Sequence, residues 1–140
     1  LDHVRAPGRD PLAGLKPLAN LHEVAVLGSE LKLAFLEEVA RDGYTVILCY
    51  IGLDSPRTSV ERVAIRVSQG GHDVPDEKLQ SRFPRILVNL GTAIRKLSYL
   101  FIYDNSDLNS GYRQVAVADH GKIIDVQEPV PDWLKPLLGQ

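Results

Sequence analysis

Arg62 and Arg66 stand four residues apart in Val60-Glu61-Arg62-Val63-Ala64-Ile65-Arg66-Val67-Ser68-Gln69, a spacing that puts both guanidinium groups on one face of a helix. Gly70-Gly71-His72-Asp73 follows directly, and Arg82 and Arg85 belong to the next helical stretch, close enough in sequence to reach the same space. A guanidinium offers a planar fork of donors that matches phosphate oxygens, so these arginines around a two-glycine hinge suit an oxyanion clamp. The same spacing also suits a solvated face whose arginines pair with Glu61, Asp76 and Glu77. His72 would either touch a phosphate or order the turn, since both of its neighbours favour tight backbone geometry. Asp104-Asn105-Ser106-Asp107 closes a later apolar run, where its carboxylates would either hold a cation or simply make the turn.

Other chemistries find little support. His3, His22, His72 and His120 are scattered without metal-ligand spacing, which gives no metal site from protein ligands. Neither a Ser-His-Asp nor a Cys-His arrangement emerges, and no pair of carboxylates has the look of an acid and base. The single cysteine, Cys49, sits in an apolar run and is expected to be buried in a protein of a reducing, cytoplasmic compartment. Tyr44, Tyr50, Tyr99, Phe101 and Tyr103 fall at strand positions and read as core. With 16 basic and 18 acidic residues the charge is balanced, so nothing draws the chain to nucleic acid or to an anionic membrane. No run approaches the roughly 18 apolar residues of a membrane span.

The elements that must position these residues follow from periodicity. At 140 residues and 44% apolar composition, one domain is expected. Residues 1–22, punctuated by Pro7, Gly8, Pro11, Gly14 and Pro17, read as an irregular segment. Leu31, Ala34, Phe35, Val39 and Ala40 share a helical face from Ser29, a suitable N-cap, to Asp42, with Gly43 just past the end. Thr45 to Ile51 is almost continuously apolar or β-branched, as in a central parallel strand covered on both faces. Thr58 and Glu61 have capping-box spacing and predict a helix from about Ser59 to Gln69. Pro75-Asp76-Glu77 suits a second helix start with Pro at the first helical position, and Leu79 to Leu97 carry that helix to about Lys96, with a kink or break at Pro84. Tyr99 to Tyr103 reads as a second buried strand, completing a βαβ unit. Tyr112–Ala118 and Lys122–Val126, flanking Asp119-His120-Gly121, predict a β-hairpin. In the proline-rich tail, 129–140, Pro129, Pro131 and Pro136 stop regular structure, while Trp133 and Leu134 pin the end to the domain.

The run Arg66-Val67-Ser68-Gln69-Gly70-Gly71-His72-Asp73-Val74-Pro75 resembles the arginine-rich lid of zeta-toxin-like kinases, the group that contains UDP-N-acetylglucosamine kinases. The likeness extends from about Ser29 to Val126 and takes in Arg41-Asp42-Gly43-Tyr44, Gly52-Leu53-Asp54-Ser55-Pro56, Arg82-Phe83-Pro84-Arg85 with Asn89-Leu90, and Tyr103-Asp104-Asn105-Ser106. It implies an α/β, P-loop NTPase-like three-layer fold, of which residues 23–128 would be the C-terminal region. It also implies transfer of the γ-phosphate of ATP, with Mg²⁺, to a sugar hydroxyl of a nucleotide sugar. Arg66 and Arg82 match the family's two phosphate-contacting arginines and take the catalytic role. Such a role is physically sound, because phosphoryl transfer spreads negative charge over oxygens that a positioned guanidinium stabilises.

Three departures accompany the likeness. The 140 residues contain no Gly-x-x-x-x-Gly-Lys-Ser/Thr loop, so the cradle for the β- and γ-phosphates is missing. No counterpart of the family's catalytic Asp stands in the proline-rich start. The family's substrate-side Glu-Thr is replaced at Glu23 by Glu followed by Val24. The expectation is therefore one part of a kinase, inactive and weak in ATP binding by itself, which fits a chain opening Leu1-Asp2-His3 without an initiator Met. The alternative is a non-catalytic remnant acting as a binding or protein-interaction module. A half-sheet of this kind exposes an unpaired edge, for which a homodimer is one remedy.

Overall fold

The computed structural model describes residues 30–107 and 109–139. Residues 1–22, Glu23 and the expected cap Ser29 lie outside them. The described chain is α/β: α1 (Glu30–Arg41), β1 (Ile47–Gly52), α2 (Pro56–Ser68), α3 (Asp76–Lys96), β2 (Tyr99–Asp104), β3 (Arg113–Asp119), β4 (Lys122–Val126) and a 3₁₀ turn at Lys135–Leu138. The four strands form one mixed sheet in the order β1-β2-β3-β4. β1 and β2 are parallel and joined through α2 and α3, as the βαβ reading required, and the β3–β4 hairpin adds antiparallel to β2.

Local chemistry sets the helix starts, and it differs from the expectation at both. Ser55 is extended and its Oγ accepts the Thr58 N–H at 3.2 Å, with Pro56 opening α2. The helix thus begins ahead of Thr58, and Glu61 pairs with Arg57 at 3.2 Å instead of closing a capping box. Pro75 is the N-cap of α3, one place before the first helical position, and Asp76 and Glu77 complement the positive end of the helix dipole. α3 also continues through Pro84 without a break. Both Pro84 and Gln80, whose carbonyl loses its usual donor, are solvent-exposed, which lowers the cost of the missing bond.

Leu90, Ala93 and Ile94 of α3, at helical spacing, and Leu97 at its C-cap pack on one sheet face with Leu33 of α1. The register aligns that face across the strands: Leu48 opposite Leu100 opposite Ala118, and Tyr50 opposite Ile102 opposite Ala116. An irregularity beside Ile102 leaves Val115 unpaired in β3, and its side chain is buried with the same cluster. The tail completes the core through Val130, Trp133 and Leu134, and its 3₁₀ turn is regular structure where prolines were expected to exclude any.

Two expectations about β1 are overturned. It lies at the sheet edge among the described residues, not at the centre, and Cys49 is exposed, not buried. Cys49 and Ile51 alternate with the inward Leu48 and Tyr50 and are exposed, so among the described residues the helical cover expected on both sides is present there on one. Tyr44, read as core, is 70% exposed, and Tyr99, Phe101 and Tyr103 are half-buried. Tyr50 does face the core, and burial raises its phenol to about 12. Its proton is held more tightly folded than unfolded, so the stabilisation is complete below pH 10 and is lost as pH rises towards 12. Urea titrations across that window should show stability falling, with a shallower slope in Tyr50→Phe; equal slopes would contradict the assignment.

Candidate phosphate-binding site

The carboxyl ends of the parallel strands, where open α/β sheets place ligands, are tied together by the backbone. The Asn105 N–H donates to the Gly52 carbonyl at 2.9 Å, joining the loop after β2 to the end of β1. Arg62, half-buried on α2, donates through Nη2 to the Asn105 carbonyl. Arg62 Nε is buried and, among the described residues, has no hydrogen-bond partner.

At the other end of α2 the chain closes in a Schellman turn. Gly70 N–H donates to the Val67 carbonyl at 2.9 Å, and Gly71 N–H reaches back to the Arg66 carbonyl at 2.8 Å. The two glycines serve different ends. Gly70 has φ +86, a conformation that L side chains rarely adopt. Gly71 lacks that angle but lies over Arg66, where a Cβ would stand 2.4 Å from Arg66 Cγ. The Arg66 guanidinium then donates to the His72 carbonyl at 3.0 Å. Arg66, Gly70, Gly71 and His72 are thereby one folded unit, in which His72 contributes its backbone and Arg66 stays exposed.

Arg82 and Arg85 project from the first half of α3, and both are exposed. Arg85 Nε turns back to the Ser81 carbonyl at 3.2 Å. Among the described residues Arg82 makes no hydrogen bond or ion pair. Of the solvated, ion-paired face weighed as an alternative, the exposure is present at Arg66, Arg82 and Arg85, but the pairs are not: none of Arg62, Arg66, Arg82 and Arg85 is in an ion pair among those residues, and Glu61 is taken by Arg57.

Asp104 is committed to structure: its Oδ1 accepts the Trp133 indole N–H at 2.9 Å and the Ser106 hydroxyl at 2.6 Å. Asp107 caps the following turn, and its carboxyl is held below the usual range by the Ser110 hydroxyl and the Asn109 amide, with the Arg62 charge a smaller cause. Asn105 acts through its backbone. Among the described residues no three His, Cys, Asp or Glu side chains group as a metal site would require. An open hollow of about 490 Å³ lies between Ser55, Pro56, Arg57, Val60 and Gln80. Arg66 and Arg82 do not line it, and its walls are mainly apolar.

Gly52 escaped notice as a positioning residue. A glycine closing an apolar strand was the available signal, since it marks a place where another group comes close. Here that group is Trp133, whose ring carbons would stand 2.5 Å from a Cβ at Gly52. No family model, curated protein or solved structure matches the chain. Function therefore has to be argued from these residues. Among the described residues no helix is long and apolar enough to cross a membrane.

Proposed function

We propose that the α2–α3 hairpin is the phosphate-gripping lid of a zeta-toxin-like, P-loop NTPase-like kinase, and that this chain supplies the lid and strand-end part of a site for ATP. The observation that carries the reading is the state of the arginines: an Arg66 fixed by a glycine turn and an Arg82 that, among the described residues, has no partner, neither being paired there with a carboxylate. Guanidinium groups not engaged by the neighbouring acids keep their charge and donors available to an incoming anion.

In the reaction, Arg66 and Arg82 would bind the transferring phosphoryl group and stabilise the charge spread over its oxygens. The Schellman turn holds Arg66 in place before a ligand arrives, which reduces the ordering cost of binding. The acceptor would be a hydroxyl of a nucleotide sugar, and the setting cytoplasmic. ATP fits this chain only in part, because the 140 residues have no Gly-x-x-x-x-Gly-Lys loop and the described ones no metal grouping. The lid alone should thus bind polyphosphate weakly, by charge.

Calorimetric titration with inorganic tripolyphosphate tests the reading. The expected affinity is on the order of 1 mM. Arg66→Ala and Arg82→Ala should each weaken it by about fivefold, roughly 1 kcal/mol. A double variant that binds as the wild type does would sink the lid reading and favour the interaction-module alternative. Micromolar binding of ATP would instead show that the chain needs no further phosphate cradle.

A further inference from the structure

We infer that Arg62 is a positioning residue that fastens the lid to the strand ends and is not itself a phosphate ligand. Arg62 and Arg66 share a helix face and chemistry, yet the fold uses them differently. Arg66 is exposed at the turn, whereas Arg62 is half-buried and directed at the chain's own loop, 43 residues away, where it donates to the Asn105 carbonyl.

α2 depends on this contact more than a helix usually would. It has no buried residue, and Ile65 and Val67 are exposed, so apolar packing holds it only loosely. Its other side-chain hydrogen bonds stay within its own caps and turns: Thr58 to Ser55 and Asp54, Arg57 to Glu61, Ser68 to Ile65 and Arg66 to His72. Among the described residues, Arg62 makes the one side-chain hydrogen bond from α2 to the sheet end. The loop it reaches is itself fixed, because the Asn105 N–H is bonded to Gly52 and Asp104 to Trp133. A line of contacts thus runs from the tail through the strand ends to the base of the lid. The half-buried guanidinium already donates to the Asn105 carbonyl, which leaves it less available to a solvent-borne anion. So placed, Arg62 serves the lid proposed above, and what the lid grips rests on that reading.

Hydrogen–deuterium exchange on the full chain tests the fastening, with tripolyphosphate titrations at low and high salt to separate the two arginine roles. In Arg62→Met, which keeps the aliphatic stem and removes the donors, α2 amides should exchange roughly tenfold faster. The β2–β3 amides should keep wild-type rates, confirming that the variant is folded. Arg62→Lys, which restores a donor, should recover part of the protection. Tripolyphosphate binding to Arg62→Met should retain the wild-type salt dependence, because no ligand-facing charge has gone, whereas Arg66→Ala should flatten it. Unchanged α2 exchange in Arg62→Met would overturn the inference, and so would a salt dependence flattened as in Arg66→Ala. If no variant binds tripolyphosphate, the kinase reading fails, and exchange alone still decides the place of Arg62.

Discussion

Replacing Trp133 with alanine should lower the stability of the fold by about 4 kcal/mol, the range for removing a buried large aromatic. The indole is 7% exposed, tilted against Tyr50 at a centroid distance of 6.0 Å, and bonded through Nε1 to Asp104. Its loss opens a cavity beneath the end of β1 and takes one of two hydrogen bonds from the Asp104 carboxylate, leaving Ser106 alone. Urea unfolding followed by far-ultraviolet circular dichroism measures the effect without depending on the removed fluorophore. Trp133→Phe separates the contributions: it keeps most of the packing and should cost about 1 to 2 kcal/mol, mainly for the hydrogen bond to a charged group. A loss below about 1 kcal/mol in the alanine variant would mean that the tail is not part of the core.

Gly52→Ala should cost about 2 kcal/mol, the scale for forcing one carbon into a packed interior. The reason is space and not backbone conformation, since Gly52 is not among the residues with positive φ. Its added Cβ would stand 2.5 Å from two indole carbons and 3.0 Å from Tyr50 Cε1, so the ring or the strand must move. The clash depends on the indole, which makes the double variant informative. Gly52→Ala combined with Trp133→Ala should cost clearly less than the two single losses added, because the methyl enters the space the ring left. Additive losses would place the strain of Gly52→Ala somewhere other than at Trp133.

Elements governed by local periodicity were legible. Of the apolar positions that run from Leu79 to Leu97, Leu90 and Ile94 mark the buried face of α3 and Leu97 its buried C-cap, and the strands flanking Asp119-His120-Gly121 form the hairpin as read. The placement of β1 was not legible for a definite reason. Thr45 to Ile51 is apolar at nearly every position, so it lacks the alternation that would reveal one-sided burial, and Cys49 looks the same from either face. Ser55 and Thr58 are both good caps, and only the extended backbone of Ser55, ahead of Pro56, decides between them. At the candidate site, Arg62, Arg66 and the two glycines could be found from spacing. The difference between Arg62 and Arg66 could not, because it depends on a carbonyl that belongs to a distant loop. The bond made by Asp104 was hidden for a similar reason, its partner Trp133 being 29 residues further on.

The clasps at the carboxyl end of the sheet also set an order of assembly. The β3–β4 hairpin and the glycine turn after α2 close over short stretches of chain, while Arg62 must find Asn105 across 43 residues and Asp104 must find Trp133 across 29. Closing longer loops costs more entropy and delays the contacts they bring. The strand ends are thus expected to come together after the hairpin has formed, and their closure to gate the last packing of the tail onto the core.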